Sequence, residues 1–175
     1  MNVARAARPT RPPVPAMPDF ATLDRTHAAA LEMLGAFERL LDELDERGSD
    51  EAAAQSARQI LEFFSGPGRD HHAQEERQVF PGLLASSDAE LVHHVKRLQQ
   101  DHGWIEEDWR ELSPQIEAIA AGYNWYDLPM LRAALPVFTA LYHEHIALEE
   151  SLIYPVAKRQ AQAMQDAAAA RLQGG

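Results

Sequence analysis

The chain has 175 residues, enough for one domain with a sizeable core, and it contains no cysteine. Its formal net charge of -11 excludes an electrostatic surface for nucleic acid or for an anionic membrane. The lack of thiols excludes disulfides, iron–sulfur clusters and thiolate zinc sites, and no apolar run approaches the length of a membrane-spanning helix or has the form of a secretory signal.

Residues 1–18 combine arginines with several prolines, so we predict a flexible, extended arm. The first helix is predicted from about Asp19 to Arg47, where Gly48-Ser49-Asp50 interrupts it. Its apolar residues recur in steps of four and three, a pattern typical of a helix packed nearly parallel to its neighbours. One histidine interrupts this stripe: Leu23, His27, Ala30, Leu34, Phe37, Leu41, Leu44.

A second helix is predicted to begin near Glu51 and to be kinked or briefly broken at Ser65-Gly66-Pro67-Gly68. If its axis continues past the break, its inner face gains a histidine and a glutamate. That stripe comprises Ala57, Ile60, Phe64, Gly68, His71, Glu75 and Val79.

The third helix is predicted from about Ala89, after a cap at Ser87 or Asp88, to Ala121, with Gly122 as the residue that ends it. Its stripe is apolar except for one histidine: Leu91, Val95, Leu98, His102, Ile105, Trp109, Leu112, Ile116, Ile119.

The fourth helix is predicted to be capped by Asp127 and to bend at Pro155. Residues 158–175 predict an additional helix rich in alanine, which packs either back on the bundle or on another subunit in a homodimer; the sequence leaves both open. The stripe of the fourth helix comprises Leu131, Leu135, Phe138, Tyr142, His145, Glu149, Leu152 and Val156.

One motif occurs twice, at residues 71–81 and 145–155: His, three residues, Glu-Glu, two residues, an apolar residue, an aromatic residue and Pro. A lone histidine precedes each copy, His27 by 44 residues and His102 by 43. Four long helices with short connections predict an all-α, up-down-up-down four-helix bundle over residues 19–157, built from two related halves.

Six side chains that can bind a metal lie on the inner stripes of this bundle. Burying an unpaired carboxylate costs on the order of several kcal/mol or forces the carboxylate to protonate. Two divalent cations would supply the missing positive charge, and nitrogen and oxygen donors suit iron, manganese or zinc. The alternatives are a core of hydrogen-bonded histidines or seams that face water. The six candidates are His27, His71, Glu75, His102, His145 and Glu149.

The remaining histidines are expected to be solvated or to support the ligands. His72 and His143 lie off the inner stripe, and His93 and His94 lie beside it, because neighbouring residues do not share a helix face. Aromatic residues at helical spacing are expected in the core or in a pocket wall: Trp104, Trp109, Phe138 and Tyr142.

Glu76 and Glu150 directly follow the two glutamate candidates. We expect them to form surface salt bridges, for example to Arg69 or Arg159, with a hydrogen bond to a ligand histidine as the alternative. Tyr142, one turn before the second motif, is the best candidate for a hydrogen-bond donor to the site.

The combination resembles the hemerythrin-like HHE cation-binding family over about residues 20–157. A ferritin-like diiron site would instead show Glu-x-x-His on two helices and one Glu on each of the others. The resemblance rests on these residues: His27, His71-x-x-x-Glu75-Glu76 with Phe80-Pro81, Asp101-His102, and His145-x-x-x-Glu149-Glu150 with Tyr154-Pro155.

The resemblance implies a non-haem diiron centre, oxo- or hydroxo-bridged, in which Glu75 and Glu149 bridge the two ions. By the same resemblance one iron is held largely by His27 and His71. The other is held largely by the pair His102 and His145. Manganese or zinc are the expected substitutes.

Two departures from the oxygen-carrying hemerythrins matter. Those proteins have a further histidine four residues before the one that matches His102, where this chain has Leu98. Their second bridging carboxylate is an Asp five residues after its His, whereas Glu149 follows His145 by four. Both departures are shared by bacterial members that resemble nitric-oxide or oxygen sensors and iron-centre repair proteins.

We therefore expect a cytoplasmic diiron protein that binds or reacts with a small gas or oxidant (O2, NO or peroxide), as a sensor or stress-response protein. No nucleic acid or membrane is expected as a partner, and no catalytic residue is assigned. Two alternatives remain: iron storage, donation or repair of damaged iron centres, and a helical interaction module with a structural metal or none.

Overall fold

A computed structural model describes residues 17–173, and in this range it contains helices and no strand. The predicted arm lies outside the described residues except for Met17 and Pro18. The elements are α1 (Phe20–Arg47), α2 (Glu51–Ser65), α3 (Pro67–Gln78), α4 (Phe80–Leu84), α5 (Ala89–Ala120), α6 (Leu128–Leu148), a π-helical segment (Glu149–Ile153) and α7 (Tyr154–Gln173).

Aspartate side chains cap the four helices that begin after a loop. Asp19, Asp50, Asp88 and Asp127 each accept a hydrogen bond from a backbone N–H in the first turn of the helix that follows. Such a cap stabilises a helix by about 1 kcal/mol. The predicted caps at Asp88 and Asp127 are confirmed, and Gly122, with a φ of 74°, follows α5 as expected.

The long helices form the predicted four-helix bundle. Helix α1 packs on α2 and α6, and α5 packs on the same two helices. Helices α2 and α3 are interrupted only at Gly66, and α3 still contacts both α1 and α5, so the two parts act as one side of the bundle. A side chain at Gly66 would meet the carbonyl oxygen of Glu62 at 2.9 Å, which explains the glycine at this break.

The core consists of two apolar clusters with a polar layer between them. The larger cluster extends from Ala30 on α1 to the loops at residues 48–50 and 121–127. The smaller cluster, at the other end, includes Leu23, Phe80, Leu98 and Tyr154. The six side chains predicted to bind metal fall between these clusters: His27, His71, Glu75, His102, His145 and Glu149. The packing on both sides therefore shields the two ends of this layer from water.

The π-helical segment changes which residues face the core. The stripe predicted for the fourth helix continued through Leu152 and Val156, but both are only half-buried. Ile153 and Tyr154 are buried instead. A π turn contains about one residue more than an α turn, so the inward-facing position moves one residue along the chain. The predicted register is correct up to Glu149 and wrong after it.

Helix α7 begins at Tyr154, so the boundary predicted at residue 158 falls inside a continuous helix. Side chains from Gln162 to Arg171 are exposed, and this part of α7 does not pack back on the bundle. Its packing on another subunit stays a prediction. None of the helices in the described range is both long and apolar enough to cross a membrane.

Candidate metal centre

The structure brings the six predicted side chains together in the polar layer. They come from four sides of the bundle: one from α1, two from α3, one from α5 and two from the end of α6 and the π-helical segment. Both carboxylate residues, Glu75 and Glu149, have no exposed surface, and the four imidazoles are also buried. Their role as ligands stays a prediction, but their convergence is a feature of the fold.

Each carboxylate lies between histidines from both halves of the chain. Oε2 of Glu75 is 3.4 Å from Nε2 of His71 and 3.4 Å from Nε2 of His102. Oε2 of Glu149 is 3.1 Å from Nε2 of His27 and 3.2 Å from Nε2 of His145. Each glutamate therefore contacts one histidine from its own half of the chain and one from the other half.

Two sets of four residues present ligand atoms that all lie within 4.8 Å of one another. Both sets contain the same two carboxylates, Glu75 and Glu149, and each adds two imidazoles. The first set is His27, His71, Glu75 and Glu149; the second is Glu75, His102, His145 and Glu149.

The donor atoms of these sets fit a pair of cations. Buried polar atoms in folded proteins nearly always have a hydrogen-bond partner. Here a whole group of such atoms has none, although they face one another at ion-pair distances. Imidazole nitrogen and carboxylate oxygen are suitable ligands for divalent first-row metals. The unpartnered atoms include Glu75 Oε2, both Glu149 carboxylate oxygens, both ring nitrogens of His71 and of His145, and His102 Nε2.

Without a cation, the two carboxylates cannot both carry charge easily. Burial raises the pKa of Glu149 to about 8, and the negative charge of Glu75 acts in the same direction. Burial opposes ionisation of Glu75 as well, but the nearby imidazoles of His102 and His71 hold the pKa of Glu75 well below its usual value. Burial lowers the pKa of His71 to about 4, which keeps that imidazole neutral and able to bind a metal.

The carboxylates of Glu76 and Glu150 contact the ring nitrogens of His102 and His27 that point away from the centre. The surface salt bridges predicted for these two glutamates are therefore corrected. Nδ1 of His102 is 3.1 Å from Oε1 of Glu76, and Nδ1 of His27 is 3.1 Å from Oε1 of Glu150. Arg69 pairs with Glu106 instead. A carboxylate that accepts a hydrogen bond from Nδ1–H favours the tautomer in which Nε2 is unprotonated and directed at the centre. The second Glu of each motif therefore fixes the tautomer of a histidine from the other half.

Tyr154, rather than Tyr142, donates a hydrogen bond to the site. Its hydroxyl donates to Oε1 of Glu75 and lies 3.3 Å from Nε2 of His27, and its ring stacks on His27. The hydroxyl of Tyr142 makes no hydrogen bond with the residues that the structure describes and points towards Gly68. The sequence did contain a signal for Tyr154, because it occupies the aromatic position of the motif where the first copy has Phe80.

We predict that Tyr154→Phe weakens the anchoring of Glu75 while it preserves the ring stack on His27. A hydrogen bond to a charged group is worth about 1.5–3 kcal/mol, so the free energy of unfolding should fall by about that amount. Chemical denaturation of the metal-free protein measures it. The control is Tyr123→Phe, whose ring is 54% exposed and should leave stability unchanged. Equal stability of the two variants would contradict the role of the hydroxyl.

His72 lies closer to the centre than the sequence predicted. Its ring stacks on that of His102 at 4.2 Å, and nitrogens of His72, His102 and His145 lie within 4.8 Å of one another. The prediction that His72 lies off the inner stripe assumed a buried face that is too narrow. A helix inside a four-helix bundle contacts two neighbours, so its buried face is wider than a single stripe.

The other histidines and one tryptophan lie away from the centre. His93 and His143 are exposed, and His94 is half-buried beside Glu90. Trp104 is 48% exposed, so its predicted place in the core or a pocket wall is wrong. The prediction is correct for the other three aromatic residues, which line a cavity: Trp109, Phe138 and Tyr142.

Comparison with known proteins agrees with this geometry. The chain is 30% identical over 113 residues to an uncharacterized protein of Haemophilus influenzae, an alignment that covers 65% of this chain and 63% of that protein. The chain thus spans less than two thirds of the length of this curated relative. No solved structure matches the chain. The family described as the hemerythrin HHE cation-binding domain matches residues 19–157, and the chain therefore belongs to the hemerythrin family of cation-binding domains.

Proposed function

We propose that the chain holds two iron ions and uses them to bind or react with a small gas or oxidant, O2, NO or peroxide, as a sensor or stress-response protein. In this proposal His27 and His71 hold one ion, His102 and His145 hold the other, and Glu75 and Glu149 bridge them. The observation that carries it is that both four-residue sets share the two buried carboxylates.

The irons would supply open coordination positions and electrons for the oxidant. The protein supplies the rest. Glu76 and Glu150 keep the ring nitrogens of His102 and His27 directed inward, and Tyr154 holds one oxygen of Glu75. The two apolar clusters keep bulk water away from the two ends of the layer between them.

Leu98 occupies the position of the further histidine in the oxygen-carrying hemerythrins. In our proposal this leaves a coordination position open at the second ion. Leu98 is fully buried in the apolar cluster and contributes no nitrogen. His72 offers an additional imidazole on that side, next to His102 and His145. In our proposal it is a neighbour of the centre rather than a required ligand, because its ring stacks on His102 and it belongs to neither of the sets that contain the two carboxylates.

The test is metal analysis and absorption spectroscopy of the protein purified without oxygen. We expect about two irons per chain, ferric charge-transfer absorption after exposure to air, bleaching of this absorption on reduction, and a spectral change with NO. The double variant His71→Ala, His145→Ala should lose the iron and all of these signals. The matched control is His93→Ala, an exposed histidine outside the centre.

Two results would overturn the proposal. A chain with two irons that responds to none of O2, NO and peroxide would exclude the gas or oxidant role. Iron content that rises well beyond two, with transfer to a metal-free acceptor protein, would indicate storage or donation instead.

A further inference from the structure

A cavity of about 570 Å³ lies next to the metal centre, on the side of His72 and His102. This volume is in the range of pockets that hold small organic molecules and far exceeds what a diatomic gas needs. The stacked rings of His72 and His102 form its inner wall and separate it from the buried carboxylates. Its outer wall includes the exposed residues Arg69 and Arg110, where the cavity meets solvent.

One side of the cavity is aromatic and held in place. Phe64 packs against Trp109 with ring centroids 5.1 Å apart and against Phe138 at 5.3 Å. The indole N–H of Trp109 donates to Oγ of Ser65 at 3.1 Å. Tyr142 completes this wall. A rigid aromatic surface binds a planar ring or an alkyl chain with little loss of side-chain freedom.

Among residues 17–173, the charges around the cavity leave one cation, Arg110, without a partner. Glu76 binds His102 and Gln99, and Glu106 binds Arg69 at 2.9 Å. Arg110 makes no ion pair or hydrogen bond with the described residues, although acidic residues outnumber basic ones in the chain by 27 to 16. A guanidinium with free donors beside an aromatic wall suits a carboxylate that carries an apolar body.

We propose that this cavity binds a small organic carboxylate with an aromatic or short alkyl body. The carboxylate binds Arg110 at the entrance, and the apolar body lies on Phe64 and Trp109 with its far end against the rings of His72 and His102. Such a ligand covers the approach to the metal centre from this side. The proposal goes beyond the proposed gas or oxidant chemistry and holds whether or not the metals react.

The experiment compares 4-phenylbutyrate with its uncharged counterpart 4-phenylbutan-1-ol by calorimetry, on the full chain with its metal bound. We expect the acid to bind about 3- to 10-fold more tightly than the alcohol, the usual range for one partly exposed charge-assisted contact. Arg110→Gln should remove this preference and leave the affinity for the alcohol unchanged.

A second variant tests the place of binding. Gly103 lines the cavity, and a Cβ at this position would meet no atom within 4 Å, so Gly103→Leu adds an apolar side chain that begins in open space at the cavity wall. It should weaken both probes at least tenfold, with metal content unchanged. The control is Gly35→Leu on α1, where a Cβ would meet only the flexible end of Arg39. Ala73→Leu, on the opposite wall, repeats the test if Gly103→Leu does not fold.

Three outcomes would overturn the proposal. The first is equal affinity for the acid and the alcohol in the unaltered protein. The second is acid binding that persists in both Gly103→Leu and Ala73→Leu. The third is a preference for the acid over the alcohol that survives Arg110→Gln; a change in the metal absorption on acid binding would then place the carboxylate on the metals rather than in the cavity.

Discussion

We expect removal of the metal to lower the melting temperature of the protein by about 10–20 °C. A metal that binds only the folded chain contributes its binding free energy to folding, and for a chain of this size each kcal/mol changes the melting temperature by about 2–4 °C. Loss of about 5 kcal/mol is expected because Glu75 and Glu149 then face each other without a cation. Calorimetry before and after chelation measures the change, with metal content checked by elemental analysis.

Readdition of iron should restore the original melting temperature, which distinguishes loss of the metal from damage caused by the chelator. Zinc should restore most of the stability without restoring the spectral response to NO, because the stabilisation depends on charge and geometry rather than on redox chemistry. An unchanged melting temperature after verified removal of the metal would contradict the metal centre and favour a helical interaction module.

Glu149→Gln should stabilise the metal-free protein and destabilise the metal-loaded one. At neutral pH the folded, metal-free chain holds a proton on Glu149 that the unfolded chain has released, because burial and Glu75 raise the pKa of Glu149 to about 8. This difference costs about 3 kcal/mol, and an uncharged amide avoids it. The same amide is a poor bridge between two cations, so the metal-dependent gain in stability should disappear.

The effect of Glu149→Gln on the stability of the metal-free protein should depend on pH. The unfolded carboxyl loses its proton above its ordinary pKa of 4.5 and the folded one only near 8, so the cost grows as the pH rises between these values. Glu149→Gln should therefore raise the melting temperature of the metal-free protein by several degrees near pH 8 and hardly at all near pH 5. Glu144→Gln, an exposed change on the same helix, should behave like the unaltered chain. Destabilisation of the metal-free protein by Glu149→Gln at both pH values would refute the account.

The bundle and the convergence of the six side chains could be predicted because apolar spacing alone fixes the inner face of each helix. His102 illustrates this, since eight apolar positions define the stripe on which it lies. The supporting contacts could not be predicted in the same way. A helical repeat assigns Glu76 and Glu150 to the outside, but an imidazole has a second nitrogen that points away from the centre and reaches them.

Tyr154 and His72 were missed for different reasons. The predicted register assumed a regular α-helix beyond Glu149, and the position of a π turn depends on tertiary packing that the sequence pattern does not contain. His72 was excluded by a rule for single stripes, which does not hold for a helix enclosed by two neighbours. Both omissions concern what surrounds the predicted ligands rather than the ligands themselves.

The π-helical segment sets the direction of α7, because this segment holds about one residue more than regular α-helical winding would. The backbone N–H of Tyr154 bonds to the carbonyl of Glu149, five residues earlier, which brings an acid and a phenol onto the same side. If the same residues, with none lost, wound as a regular α-helix, everything downstream in α7 would turn by about 100°. The phenol would then leave Glu75, and the exposed tail of α7 would present a different side to any neighbour. The winding of these five residues thus sets both the inner environment of the acids and the surface that α7 exposes.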